Sequence, residues 1–277
     1  MLSRKRIGLG LAAIVMLAAC GGQSQPLALV ASSPGSVGVG EQRLLLGLVD
    51  PESQVFLADP DLEATATLTG PDDETLDVPL DFIWALEGRR GLYRAMVDFP
   101  QAGVWAVEIS AAGLPSSLPA QLFVSEDIAM PQVGDPAPSI PTRTAADHDL
   151  AEITTDPDPD PSFYRLSLDE ALGDGRPTVI VFATPAFCTT ETCGPALDTV
   201  KDSAIGHPGA DFIHVEVYEN LDASNFDDLK TVGAVDAWAL PSEPWVFVTD
   251  SDGVVTARFE GTLDAAELEA ALTDLGS

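Results

Sequence analysis

Cys188 and Cys193, with four residues between them, carry the most specific chemistry in this 277-residue chain. A thiolate is a nucleophile and a soft metal ligand, and two neighbouring thiols can cycle through an exchangeable disulfide. Cys20 is the third and last cysteine. Three are too few for a disulfide-stapled miniprotein and wrongly spaced for a four-thiolate zinc site, so cysteine chemistry here is sparse and local. The histidines are His148, His207 and His214; His214 falls in a strand pattern and reads as core or edge, the other two as loop residues. Asp156 to Pro161 and Asp250-Ser251-Asp252-Gly253 offer oxygen ligands of the calcium type. The first reads instead as a solvated acidic loop, and the second, lacking a spaced terminal Glu, as a hairpin turn.

The chain opens with basic Arg4-Lys5-Arg6, an apolar run from Ile7 to Ala19, and Leu17-Ala18-Ala19-Cys20-Gly21. This is the layout of an export signal. The apolar run rises only about 20 Å as a helix, short of the ~30 Å hydrocarbon core. Leu-Ala-Ala-Cys resembles the lipobox of bacterial lipoproteins, which implies a signal over 1–20, fatty chains including palmitate on Cys20, and a lipid-anchored protein on the extracytoplasmic face of the cell membrane or outer membrane. Export places the other cysteines in an oxidising compartment, where a nearby pair can persist as a disulfide. The formal charge of −31 repels phosphate backbones, which argues against nucleic acid as a partner.

The stretch 21–41, rich in Gly, Ser, Gln and Pro, reads as a flexible tether. Residues 42–125 read as a run of short strands, 43–49, 62–69, 78–84, 93–99, 104–109 and 121–124, with alternation in Tyr93, Ala95, Val97 and Phe99 and turn signals at Gly70-Pro71-Asp72-Asp73 and Gln101-Ala102-Gly103. The expectation is an all-β immunoglobulin-like sandwich. Residues 126–277 begin with a proline-rich stretch to 165 that must be largely loop or extended. Strand 177–183, helix 194–203, strand 212–218, helix 225–232, strands 245–249 and 254–260, and a helix opened by the capping box Asp264 to Glu267 follow, an α/β order.

Phe182-Ala183-Thr184-Pro185-Ala186-Phe187-Cys188 after the first of these strands, Val133-Gly134-Asp135-Pro136-Ala137-Pro138, and Glu243-Pro244 before Trp245 together resemble the thioredoxin superfamily over roughly 131–277. The resemblance implies an α/β thioredoxin-like domain after the sandwich, a disulfide between Cys188 and Cys193, and thiol–disulfide exchange on exported thiol or disulfide proteins. Cys188 would attack, Cys193 would resolve, and Pro244, as a cis-proline, would shape the substrate groove. The Cys-x4-Cys spacing departs from the family's Cys-x2-Cys. Residues i and i+5 of a helix lie roughly 8 to 9 Å apart, beyond the ~7 Å disulfide limit, so Thr189 to Thr192 must form a turn.

Other resemblances compete. Cys193-Gly194-Pro195-Ala196 resembles the thioredoxin Cys-Gly-Pro-Cys motif without its second thiol. Thr184 to Glu191 resembles the loop of one-cysteine peroxiredoxins, without that family's catalytic Arg. The copper-delivering Sco proteins also use a spaced cysteine pair, but the histidine they add would fall near Ser242 or Glu243; His207 or His214 would have to substitute. A non-enzymatic thioredoxin-fold binding module or copper chaperone, and a peroxidase, therefore stand as alternatives, with no cofactor required except copper in the chaperone case.

Overall fold

A computed structural model describes residues 24–223 and 225–275. Cys20 and the export signal lie outside the described residues. Within the stretch read as a tether, Leu27–Val30 forms a strand, β1, paired antiparallel with β2 (Gly40–Val49). Then come β3 (Ala64–Thr69), β4 (Thr75–Leu86), β5 (Arg90–Phe99), β6 (Gly103–Ala111) and β7 (Ala120–Val124), in the spatial order β1-β2-β5-β4-β3-β6-β7. Every pairing is antiparallel. The 12-residue β4 joins the two layers: residues 75–80 pair with β3, and its later half pairs with β5.

The period-2 pattern sends one side chain in two inward. Leu44, Leu46 and Leu48 of β2, Tyr93, Ala95, Val97 and Phe99 of β5, and Trp105, Val107 and Ile109 of β6 share one core. Trp105 lies so close to Gly70 that a Cβ there would meet its ring at 2.9 Å, which is why the turn after β3 needs glycine.

The second unit holds a four-stranded sheet of order β11-β10-β8-β9, from β8 (Thr178–Ala183), β9 (Asp211–Glu216), β10 (Trp245–Thr249) and β11 (Val255–Glu260). β8 and β9 are parallel and the other pairs antiparallel. The helices are α1 (Leu150–Ile153), α2 (Leu168–Gly173), α3 (Cys193–Gly206), α4 (Gly233–Ala237) and α5 (Ala265–Asp274). α3 and α5 pack on one face, with Val179, Val181, Leu197, Val200, Leu268 and Leu272. The other face is closed by Leu168, Ala171 and Trp238, the last tilted against Phe182 and edge-on to Phe247.

The expected fold class, an α/β thioredoxin-like domain after a sandwich, is corrected toward a mostly β chain. Of the five helices among the described residues, only α3 and α5 exceed two turns. The helix expected over 225–232 is a 3-10 turn, Phe226–Asp228, followed by extended Leu229 and Val232, and α4 begins only at Gly233. Asn and Asp compete with the helix by bonding their own backbone surroundings, as where Asn220 accepts from the Lys230 N–H and donates to the Asp228 carbonyl.

The units are joined by charged and polar contacts. Arg43 of β2 grips the Glu267 carboxylate with two nitrogens, at 2.6 and 2.8 Å, and donates to the Thr262 carbonyl at 2.8 Å. Both side chains are under 10% exposed. Glu267 is also the third helical residue of α5, and closes the capping box with Asp264. Arg94 of β5 adds a 3.1 Å contact to the same carboxylate. Nearby, Glu260 accepts from the Ser33 N–H and the Ser36 hydroxyl, and Arg258 donates to the Ser36 carbonyl and Gln42.

Burial alone would raise the Glu267 carboxyl, but the bond and charge of Arg43, with Arg94 behind it, hold it below the usual carboxylate range. A depressed folded-state value means that its contribution is complete above the unfolded carboxylate value and is lost as the pH falls through the folded one. Removing one partner of a buried pair strands the other. Glu267→Ala should therefore lower the unfolding free energy by about 3 kcal/mol at neutral pH in a urea titration, and the difference from the parent should shrink as the pH is lowered past the carboxylate range.

Candidate functional site

β8 ends at Ala183, and the chain leaves the sheet through Thr184 to Thr192 before α3 starts at Cys193. Cys188 and Cys193 form a disulfide with Cα atoms 6.0 Å apart. Cys193 is fully buried and Cys188 half-buried, and the Cys193 N–H donates to Cys188 Sγ at 3.2 Å. The intervening turn is internally bonded: Glu191 N–H donates to the Cys188 carbonyl, Glu191 takes a left-handed φ of 62°, and the Thr190 and Thr192 hydroxyls lie 2.7 Å apart. Pro244, after a cis peptide bond, precedes β10, whose Trp245 pairs with Phe182 of β8. Cys188, Cys193 and Pro244 thus gather at one end of the second sheet.

The sandwich also reaches this loop. At the β4–β5 hairpin, Arg90 donates to the Thr190 carbonyl at 2.8 Å, and both Arg89 and Arg90 lie near the Glu191 carboxylate, at 3.5 and 3.7 Å. Arg90 also sits over the Phe56 ring. The disulfide holds the loop from within, and a hairpin nearly a hundred residues earlier in sequence holds it from outside.

Beneath the loop lies a buried polar group. His214 Nε2 is 3.0 Å from the Ala183 carbonyl, which can only accept, so Nε2 carries the proton; Nδ1 then accepts from the Tyr164 hydroxyl at 2.7 Å. Thr154 Oγ1 lies 3.0 Å from the same hydroxyl. Burial pushes the His214 imidazole down, against the opposing charge of Glu216, so the ring is a neutral structural link. Glu216, two residues on, accepts from the Thr155 N–H and hydroxyl at 2.7 Å each and from the Val217 N–H at 3.1 Å. Burial, then the charge of Glu216, raises the Glu243 carboxyl. Burial, then Glu243 and Glu216, raises the Tyr218 phenol. A cavity of about 150 Å³ lies alongside, its lining including Thr142, Arg143, His214, Glu216 and Tyr218.

The rim is aromatic. Phe187 contacts Tyr218 and Phe226 edge-on, at 6.0 and 6.2 Å between centroids, and Phe226 is 62% exposed. Of the two histidines offered as a substitute copper ligand, His214 is held as above, and His207 Nε2 lies 2.8 Å from Glu269. Among the described residues no group of three His, Cys, Asp or Glu is placed to hold a metal ion. Sequence reasoning missed Tyr164, Thr155, Glu216, Arg89 and Arg90. A usable signal existed for Glu216: it falls two residues after His214 in the strand, on the same face.

No family model matches the chain, and no curated protein matches it. Two solved structures are similar to parts of it. The Lin-41 filamin domain is 16% identical, covering 38% of this chain and all of that one at a TM-score of 0.24. A DUF4426 family protein from Pseudomonas aeruginosa is also 16% identical, covering 31% of this chain and 68% of that one at a TM-score of 0.20. None of the comparisons supports membership of the thioredoxin superfamily. That assignment is withdrawn, together with the readings that rested on it: thiol–disulfide exchange, the thioredoxin-fold or copper-chaperone module, and the peroxidase.

A six-residue ring restrains the unfolded chain modestly. Replacing both Cys188 and Cys193 by Ser should cost about 2 kcal/mol in denaturant unfolding, and amide exchange of 188–193 should quicken while that of β6 stays unchanged. Tyr164→Phe leaves the buried His214 Nδ1 with only the longer 3.4 Å contact to the Thr154 hydroxyl and should cost about 1 kcal/mol in the same assay.

Proposed function

We propose that the protein is an exported, lipid-anchored interaction module of the cell envelope, which presents the 184–193 loop and its aromatic rim to another extracytoplasmic protein. The observation that carries this reading is the loop itself: a disulfide-closed segment, fixed by the sandwich hairpin, beside the exposed Phe226 and the half-buried Phe187 and Tyr218. Rigid aromatic side chains give large contact area at small entropic cost and are enriched at the centres of protein interfaces. A disulfide fits an oxidising compartment, and Leu17 to Cys20 supports the anchor.

Acidic groups ring the aromatics: Glu219, Asp222, Asp227 and Asp228 flank them in sequence, and Glu243 couples to Tyr218. A partner segment that mixes apolar and basic side chains complements both features, and its association would weaken with salt.

A photo-crosslinking residue at position 226 of the full chain, in its own membranes, tests the reading. A discrete adduct at 226 that is absent at the exposed position 205, is reduced by Phe187→Ala and fades at high salt is the expected outcome. Equal labelling at 226 and 205, or none at either, overturns it.

A further inference from the structure

The sandwich carries a second surface, of different character. Between Ile7 and Gly40 the sequence contains no charged residue, and between Ile109 and Ser125 there is again none. In a chain of net charge −31 the fold brings the described part of the first stretch beside the second. Leu27 bridges to Leu118 in parallel, the Ala28 N–H donates to the Leu118 carbonyl, and the Leu118 N–H donates to the Pro26 carbonyl. Leu27 and Leu29 alternate with the inward-facing Ala28 and Val30, so they share the outer face. Their exposures are 37% and 39%, and that of Leu118 is 46%. The first carboxylates beyond them in register, Asp50 and Glu52, follow Val49, and Asp50 is turned onto the Ser53 N–H and hydroxyl.

Where the chain comes from selects the occupant. Six residues lie between Cys20 and Leu27, a reach of at most about 25 Å when fully extended. With acyl chains on Cys20, β1 begins within that distance of the lipid.

We propose that Leu27, Leu29 and Leu118 form a membrane-facing patch that seats the sandwich on the bilayer surface beside its own anchor. This rests on the anchoring of Cys20 in the reading above. Three part-exposed leucines are a weak membrane ligand alone. Tethering makes their contact intramolecular, so that a small gain per side chain decides orientation. The absence of charge in these two stretches is what an acidic protein needs there, because acidic side chains would be repelled by anionic headgroups. The consequence is a fixed orientation of the sandwich at the membrane surface.

The test uses the full acylated chain in phosphatidylcholine vesicles with brominated acyl chains. Leu118→Trp should lose emission relative to vesicles without bromine, whereas Ile205→Trp, on the exposed face of α3, should not. Adding Leu27→Ser and Leu29→Ser to the Leu118→Trp chain should restore its emission, with circular dichroism confirming the fold and mass spectrometry the acyl groups. Equal quenching at 118 and 205, or none at 118 in a chain shown to be acylated, overturns the seating while leaving the anchor intact. An unmodified Cys20 overturns the anchor, and the seating with it.

Discussion

The Arg43–Glu267 pair is the contact on which the relation between the two units depends. It is bidentate, nearly sealed from solvent, and joins the second strand of the sandwich to the first turn of the last helix. Glu267 serves two structures at once: it closes the cap of α5 and accepts the guanidinium of β2. Two charges removed from water at this cost are held only where geometry and additional hydrogen bonds are good. Here Thr262, Arg94 and Asp264 supply them. The helix terminus and this part of the inter-unit seam are therefore coupled, and α5 cannot loosen without releasing Arg43.

The distribution of cations makes the same point. After the first 20 residues the chain has ten basic side chains. Half of them, Arg43, Arg89, Arg90, Arg94 and Arg258, contact across or at the seam. A surface with a large excess of carboxylates repels itself. Two acidic units approach closely only where the scarce positive charges are concentrated between them. The seam is thus the region in which the acidic excess of the chain is locally balanced, and the hairpin arginines extend it to the disulfide loop.

Much of the strand pattern was legible in sequence because period-2 alternation and turn residues are local properties. β2 to β8, β10 and β11 fall within a few residues of where Leu44, Tyr93, Trp105, Val179 and Phe247 placed them. The seam was not legible: Arg43 and Glu267 are 224 positions apart, and nothing in either neighbourhood marks them as partners. Nor was the role of the β4–β5 hairpin, since Arg89-Arg90 reads in isolation as a solvated turn. The helix expected over 225–232 failed because the Asn220 side chain took up the Asp228 carbonyl and the Lys230 N–H, which a helix would have used. The family resemblance failed for a related reason. It rested on a Cys-containing segment, a Gly-Asp-Pro run and one proline, each short, and short motifs recur without a shared family.

The buried polar groups of β9 explain why the loop can be fixed at all. A strand with Asp211, His214 and Glu216 buried is a poor choice for packing alone, because each polar group must find partners. Asp211 is met by Arg165 and Arg176; the partners of His214 and Glu216 come from the proline-rich segment before α2: Thr154, Thr155 and Tyr164. The Thr155 hydroxyl in turn accepts from the Ala186 N–H at 3.2 Å, inside the loop that leads to Cys188. A stretch with too many prolines to form regular structure is thereby pinned to the edge strand and carried to the loop. The hydrogen bonds that satisfy β9 are the ones that position the loop from beneath, while Arg90 positions it from above.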